Sequence, residues 1–120
     1  VIAHDILEFL VQFHLKGLVH CNIKPQQILF HQVEDYIIPK VCGFGETVSI
    51  QLLKDATEIS GSPFYFPPEV RNKKGGYDFG IDIWELGLCL YILASGKKHD
   101  HPSYALLRNF GLVLPPELAE

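Results

Sequence analysis

Apolar residues at Ile2, Ile6, Phe9, Leu10 and Phe13 recur at helical spacing, with Asp5, Glu8 and Gln12 on the opposite face. That pattern predicts an amphipathic helix over the first sixteen residues, ended by Gly17. The runs Ile28-Leu29-Phe30 and Tyr36-Ile37-Ile38 flank a short polar turn and predict a small antiparallel hairpin continuing to Cys42. From Gly43 to Pro68 the chain is rich in Ser, Thr, Gly and Pro, with one short helix expected near Gln51 to Ala56. A connection that long is often functional. Gly80 to Ser95 is apolar on nearly every face, which predicts a helix buried at the centre of the fold, with Trp84 and its leucines as core. Ser103 to Phe110 reads as a short helix capped by Ser103.

Composition narrows the classes. At 120 residues with 48% apolar content the chain suits one core, so residues 1–120 are read as one domain or part of one. A net charge of −4, with Lys73-Lys74 the densest basic pair, argues against a nucleic-acid footprint. No run approaches the roughly 20 apolar residues of a membrane span, and Asp5 and Glu8 break any signal-peptide core. Cys21, Cys42 and Cys89 are odd in number and lack C-x-x-C spacing, which speaks against a disulfide framework or zinc site and for an intracellular, cytoplasmic setting. The absence of methionine, at position 1 included, predicts that the chain is cut from a longer one.

Four motifs stand in order. They are His20-Cys21-Asn22-Ile23-Lys24-Pro25-Gln26-Gln27-Ile28-Leu29, Gly43-Phe44-Gly45, Gly61-Ser62-Pro63-Phe64-Tyr65-Phe66-Pro67-Pro68-Glu69, and Asp82-Ile83-Trp84-Glu85-Leu86-Gly87. They resemble, respectively, the protein kinase motifs H-R-D-L-K-P-x-N-I-L, D-F-G, G-T-x-x-Y-x-A-P-E and D-x-W-S-L-G. Lys24-Pro25 resembles the Ser/Thr branch. The resemblance implies a mainly α, incomplete kinase-like C-terminal lobe of helices and a small hairpin. It contains a catalytic-type loop at 20–29, an activation-type segment at 43–69 and a buried central helix at 80–95.

Phosphoryl transfer needs an Asp to accept the substrate proton, and an Asn and a second Asp to hold Mg²⁺. The corresponding positions here are Asn22, Gln27 and Gly43. An amide is no general base, and Gly43 offers no side-chain ligand, so a catalytically inactive pseudokinase is the leading expectation. No metal is expected, and ATP without Mg²⁺ stays open as a ligand. By resemblance, His20 and Phe44 stack, Asp82 holds the catalytic-loop backbone, Leu29 underlies adenine, and Gly45 and Trp84 complete the structural motifs. Glu69 would pair with an arginine beyond this sequence. Cys21 stands where many kinases carry an arginine that receives a phosphorylated loop, with Thr57, Ser60 and Ser62 as candidate acceptors. Lys24, which would contact the transferred phosphate, is read as a solvated lysine bonded to nearby carbonyls, and His99-Asp100-His101 as a solvent-exposed loop in preference to a metal-ligand pair.

The expected role is a scaffold or allosteric regulator whose partner is another protein, a kinase or signalling component. The alternatives are an active or weakly active Ser/Thr kinase with unorthodox residues, and a truncated product without a folded role. The family's Gly-rich phosphate loop and N-lobe lysine are not among these residues.

Overall fold

The computed structural model describes residues 2–95, so the expected helix at 103–110 and the His99-Asp100-His101 loop lie outside the described residues. Within them, four α-helices and two two-stranded antiparallel sheets follow one another. Helix α1 spans Ile2–Leu15, strand β1 Leu18–Val19, β2 Ile28–Val33, β3 Tyr36–Val41 and β4 Val48–Ser49. Helices α2 at Ile50–Lys54, α3 at Pro68–Arg71 and α4 at Gly80–Ser95 complete the order.

Each boundary has a local cause. Gly17, at φ 75°, takes the left-handed conformation that ends α1, and its N–H donates to the His14 carbonyl at 2.9 Å. Ser49 caps α2 by accepting from the Leu52 N–H. Two prolines open α3, where the missing N–H of Pro68 falls on an amide without an intrahelical partner. Helix α3 and the β1–β4 pair were not expected from the sequence, because two to four residues carry no readable period. Yet Leu18↔Ser49 and Val19↔Val48, extended by Ile50 N–H to Gly17 O at 2.8 Å, tie the chain before the His20 loop to the chain after Gly43. The β2–β3 hairpin pairs Ile28↔Val41 through Val33↔Tyr36, three residues longer on each strand than the apolar runs that announced it.

Helix α4 joins three packed clusters. Leu86 and Cys89 meet Ile6 and Leu10 of α1 with Ile23 and Ile28. Ile81 meets Val19, Cys21, Leu53, Val70 and Tyr77, while Leu88 and Tyr91 meet Tyr65. Burying each such Leu or Ile contributes about 1.5–3 kcal/mol before entropy is charged. Helix α4 is central to the packing, yet it is not covered all round. Ile83 is 50% exposed, Gly87 and Leu93 also face outward, and Trp84 is only partly buried. An apolar run does not reveal which side of its helix receives neighbours, and α4 is covered on part of its circumference. Among the described residues no helix is long and apolar enough to cross a membrane.

Candidate functional site

The loop at 20–24 hangs from α4. Asp82 is fully buried and accepts from the His20 N–H (Oδ2, 2.9 Å) and the Cys21 N–H (Oδ1, 2.9 Å), while His14 Nε2 lies 2.8 Å from Oδ2. One helix turn further, Glu85 Oε1 accepts from the Ile23 N–H at 3.3 Å. Two acidic side chains at i and i+3 thus share one face of α4 and hold the amides of residues 20, 21 and 23 of the same loop. Cys21 sits between them at φ 70°, a left-handed conformation unusual for a side-chain residue and sustained by its surroundings. Its thiol is pushed up to about 12, first by burial and then by the negative charges of Asp82, Glu85 and Glu46. It is therefore a protonated core group and no nucleophile.

His20 is fully buried, and both ring nitrogens are engaged. Nδ1 accepts from the Asn22 N–H at 3.1 Å and Nε2 lies 2.8 Å from the Cys42 carbonyl, an arrangement that assigns the proton to Nε2. Its ring lies 5.2 Å from that of Phe44, which also meets Phe13 at 5.7 Å and Phe9 at 6.1 Å. Phe44 remains 45% exposed, so one side of this aromatic group is open. Gly45 is exposed beside it.

Polar side chains form a chain across the loop. Lys24 Nζ donates to Ser62 Oγ at 2.7 Å, and the Ser62 hydroxyl donates to Asn22 Oδ1 at 2.8 Å. Lys24 is thus a bonded lysine, as read from the sequence, part-buried and with a serine hydroxyl as partner where nearby carbonyls were expected. Gly61, directly before Ser62, runs against the loop backbone at φ 146°, and a Cβ there would lie 2.6 Å from the Cys21 carbonyl oxygen. Gly61→Ala is expected to cost about 1–3 kcal/mol through strain and displacement of this contact. A thermal melt unchanged by the substitution would refute that close approach.

Gln27 and Gly43 are adjacent because the hairpin register continues one step past Ile28↔Val41, with the Cys42 N–H donating to Gln27 O at 2.8 Å. Gly43 is left-handed at φ 74°, and a Cβ built on it would overlap the Gln27 side-chain amide. Magnesium prefers near-octahedral oxygen ligands with one or two carboxylates. The three positions that the resemblance assigns to base and metal hold two amides and a glycine, Asn22 Oδ1 is committed to Ser62, and both Asp82 oxygens face backbone amides. These residues do not fit the metal.

Other positions named from the sequence are more dispersed. Leu29 is 59% exposed on β2, Glu69 is part-buried in α3, and Trp84 Nε1 is buried without a hydrogen-bond partner among the described residues. Thr57, Ser60 and Ser62 lie in the segment before α3, with the Thr57 carbonyl accepting from Tyr77 OH at 3.3 Å. Two residues went unrecognised in the sequence. His14 carries no partner pattern in the sequence, and only folding brings it to Asp82. Glu85 carried a signal: it is an acid inside the apolar run of α4.

The buried aspartate holds the His-Cys-Asn loop with the Gly-Phe-Gly turn stacked beside it, so the motifs read from the sequence meet in one place in the fold. The model of the protein kinase domain matches residues 1–103, and the chain belongs to the protein kinase family. It is similar to human serine/threonine-protein kinase D3, with 32% identity over 115 residues covering 93% of this chain and 13% of that protein. It is likewise similar to Caenorhabditis briggsae serine/threonine-protein kinase dkf-2, at 32% identity over 93% of this chain and 10% of the relative. Arabidopsis thaliana calcium-dependent protein kinase 10 is 36% identical over 95 residues, 79% of this chain and 17% of the relative. The chain therefore spans between a tenth and a sixth of the length of these relatives.

Proposed function

We propose that this chain is C-terminal-lobe material of a Ser/Thr-type kinase domain that has lost phosphoryl transfer and works as a protein-interaction scaffold or allosteric regulator. The observation that carries the reading is the chemistry at positions 22, 27 and 43, where two amides and a glycine offer no base and no carboxylate ligand. The Asn22 amide oxygen is engaged by the Ser62 hydroxyl, so this polar group orients the loop and takes no proton. Lys24 is satisfied inside the same chain of hydrogen bonds.

The partner is another protein. Leu29, Phe30, Tyr36, Ile37 and Ile38 on the hairpin are exposed, as are Leu7, Val11 and Leu15 along α1. Grouped apolar side chains of this kind mark interaction surfaces.

In the full-length protein, ATP with Mg²⁺ is expected to raise the melting temperature no more than ATP with a chelator does. Saturating ligand at a hundred times its Kd would add about 2.7 kcal/mol and be plainly visible. A metal-dependent rise of several degrees, or phosphate incorporation into a protein substrate, would overturn the reading.

A further inference from the structure

We infer that Gln27 and Gly43 are a matched pair in which the Gln27 amide closes the space of the missing side chain at 43, making Gln27 a second barrier to a metal that the glycine already cannot ligate. This rests on the reading above and names a determinant of it. Gln27 and Cys42 are held in register by the 2.8 Å backbone bond, and the Cys42 thiol points at Gln27 Oε1 at 3.7 Å. From that anchored backbone, the Gln27 side chain carries its amide into the volume that a Cβ at 43 would enter; its Cδ, Oε1 and Nε2 are the three nearest atoms to that point. An asparagine at 27 would be one methylene shorter and stop short of it. At this part-buried site the Gln27 amide gains packing contacts by reaching into the space that a side chain at 43 would take.

Two consequences follow. A carboxylate returned to position 43 must evict the Gln27 amide, so its effect depends on what stands at 27. The left-handed φ of Gly43 penalises any side chain there, but that penalty is the same whatever occupies 27 and cancels in a double-mutant cycle.

The test uses the full-length protein in two such cycles. In the packing cycle, Gly43→Ala is expected to lower the melting temperature by about 2–4 °C for each kcal/mol lost, and by clearly less in a Gln27→Ala background. In the metal cycle, Mn²⁺ alone is the probe, followed by water-proton relaxation and by melting. Gly43→Asp combined with Gln27→Asn is expected to bind Mn²⁺ about tenfold more tightly than Gly43→Asp alone. If Gly43→Asp alone fails to fold while the combination folds, the pairing is supported directly. Additive effects in the packing cycle, or equal Mn²⁺ binding with Gln and Asn at 27, would overturn the assignment of Gln27. A metal response in the unaltered protein would instead sink the reading on which it rests, whatever the packing cycle shows.

Discussion

Replacing Asp82 by alanine is expected to destabilise the chain by about 3–5 kcal/mol, the range for removing one partner from a buried charged network. The loss is large because the carboxylate serves three groups: the His20 and Cys21 N–H groups and the His14 ring. A buried backbone donor left without an acceptor costs about 1–3 kcal/mol, and two would be stranded together. Cys21 makes matters worse, since its left-handed conformation is held in part by the bond from its N–H to Asp82 Oδ1. Asp82→Asn should fall between wild type and alanine, because one amide oxygen survives while the NH₂ meets a donor. Denaturant melts check this. An alanine variant within 1 kcal/mol of wild type (about the net worth of a single ordinary hydrogen bond) would show that Asp82 does not organise the loop.

The second large effect runs the other way. Glu85 is fully buried, one of its oxygens has no partner among the described residues, and burial together with the negative charge of Asp82 pushes its carboxyl up from 4.5 to about 9. The Ile23 N–H and Lys24 pull it back only in part. The folded chain therefore holds this proton to about pH 9, whereas the unfolded chain releases it near 4.5. The contribution to stability is complete below pH 4.5 and is lost as pH rises through 9. Each unit of that interval costs about 1.4 kcal/mol, so on the order of 3 kcal/mol is gone by pH 7. Glu85→Gln keeps the shape and the acceptor for Ile23 but does not titrate. It should be more stable than wild type at pH 7 to 8, with the advantage shrinking toward pH 4.5. Unfolding free energies measured across this range test the claim, and parallel curves for the two proteins would refute it. The family's D-x-W-S-L-G pattern, which Asp82 to Gly87 resembles, carries a small residue where Glu85 stands, so the acid is a departure of this chain.

These predictions rest on different degrees of legibility. Family membership was legible as a resemblance: His20, Lys24-Pro25, Gly43-Phe44-Gly45, Pro68-Glu69 and Asp82 match the motifs of the protein kinase family in their order. Helix α1 and the hairpin were legible because each has a periodicity long enough to register, with Gly17 as a clear stop. The short elements were not. The β1–β4 pair exists because distant backbone groups at 18–19 and 48–49 meet and satisfy one another, and no local preference announces it.

The site divides in the same way. Residue type by itself determined that no carboxylate stands at 22, 27 or 43, because an amide and a hydrogen atom cannot act as one in any fold. Packing alone decided what those residues do instead: Asn22 accepts from Ser62, Lys24 is tied to the same hydroxyl, and Gln27 fills the space beside Gly43. Likewise the sequence shows that positions 82 and 85 are acids on one helix face, but the groups each one meets were set by packing. Asp82 found three groups to accept from, while Glu85 found one and retains a proton through burial. Chemical identity is local to a residue and can be read along the chain. The environment that gives it a partner or an occupied volume comes from segments as far as 68 residues away, and only tertiary structure brings these into contact.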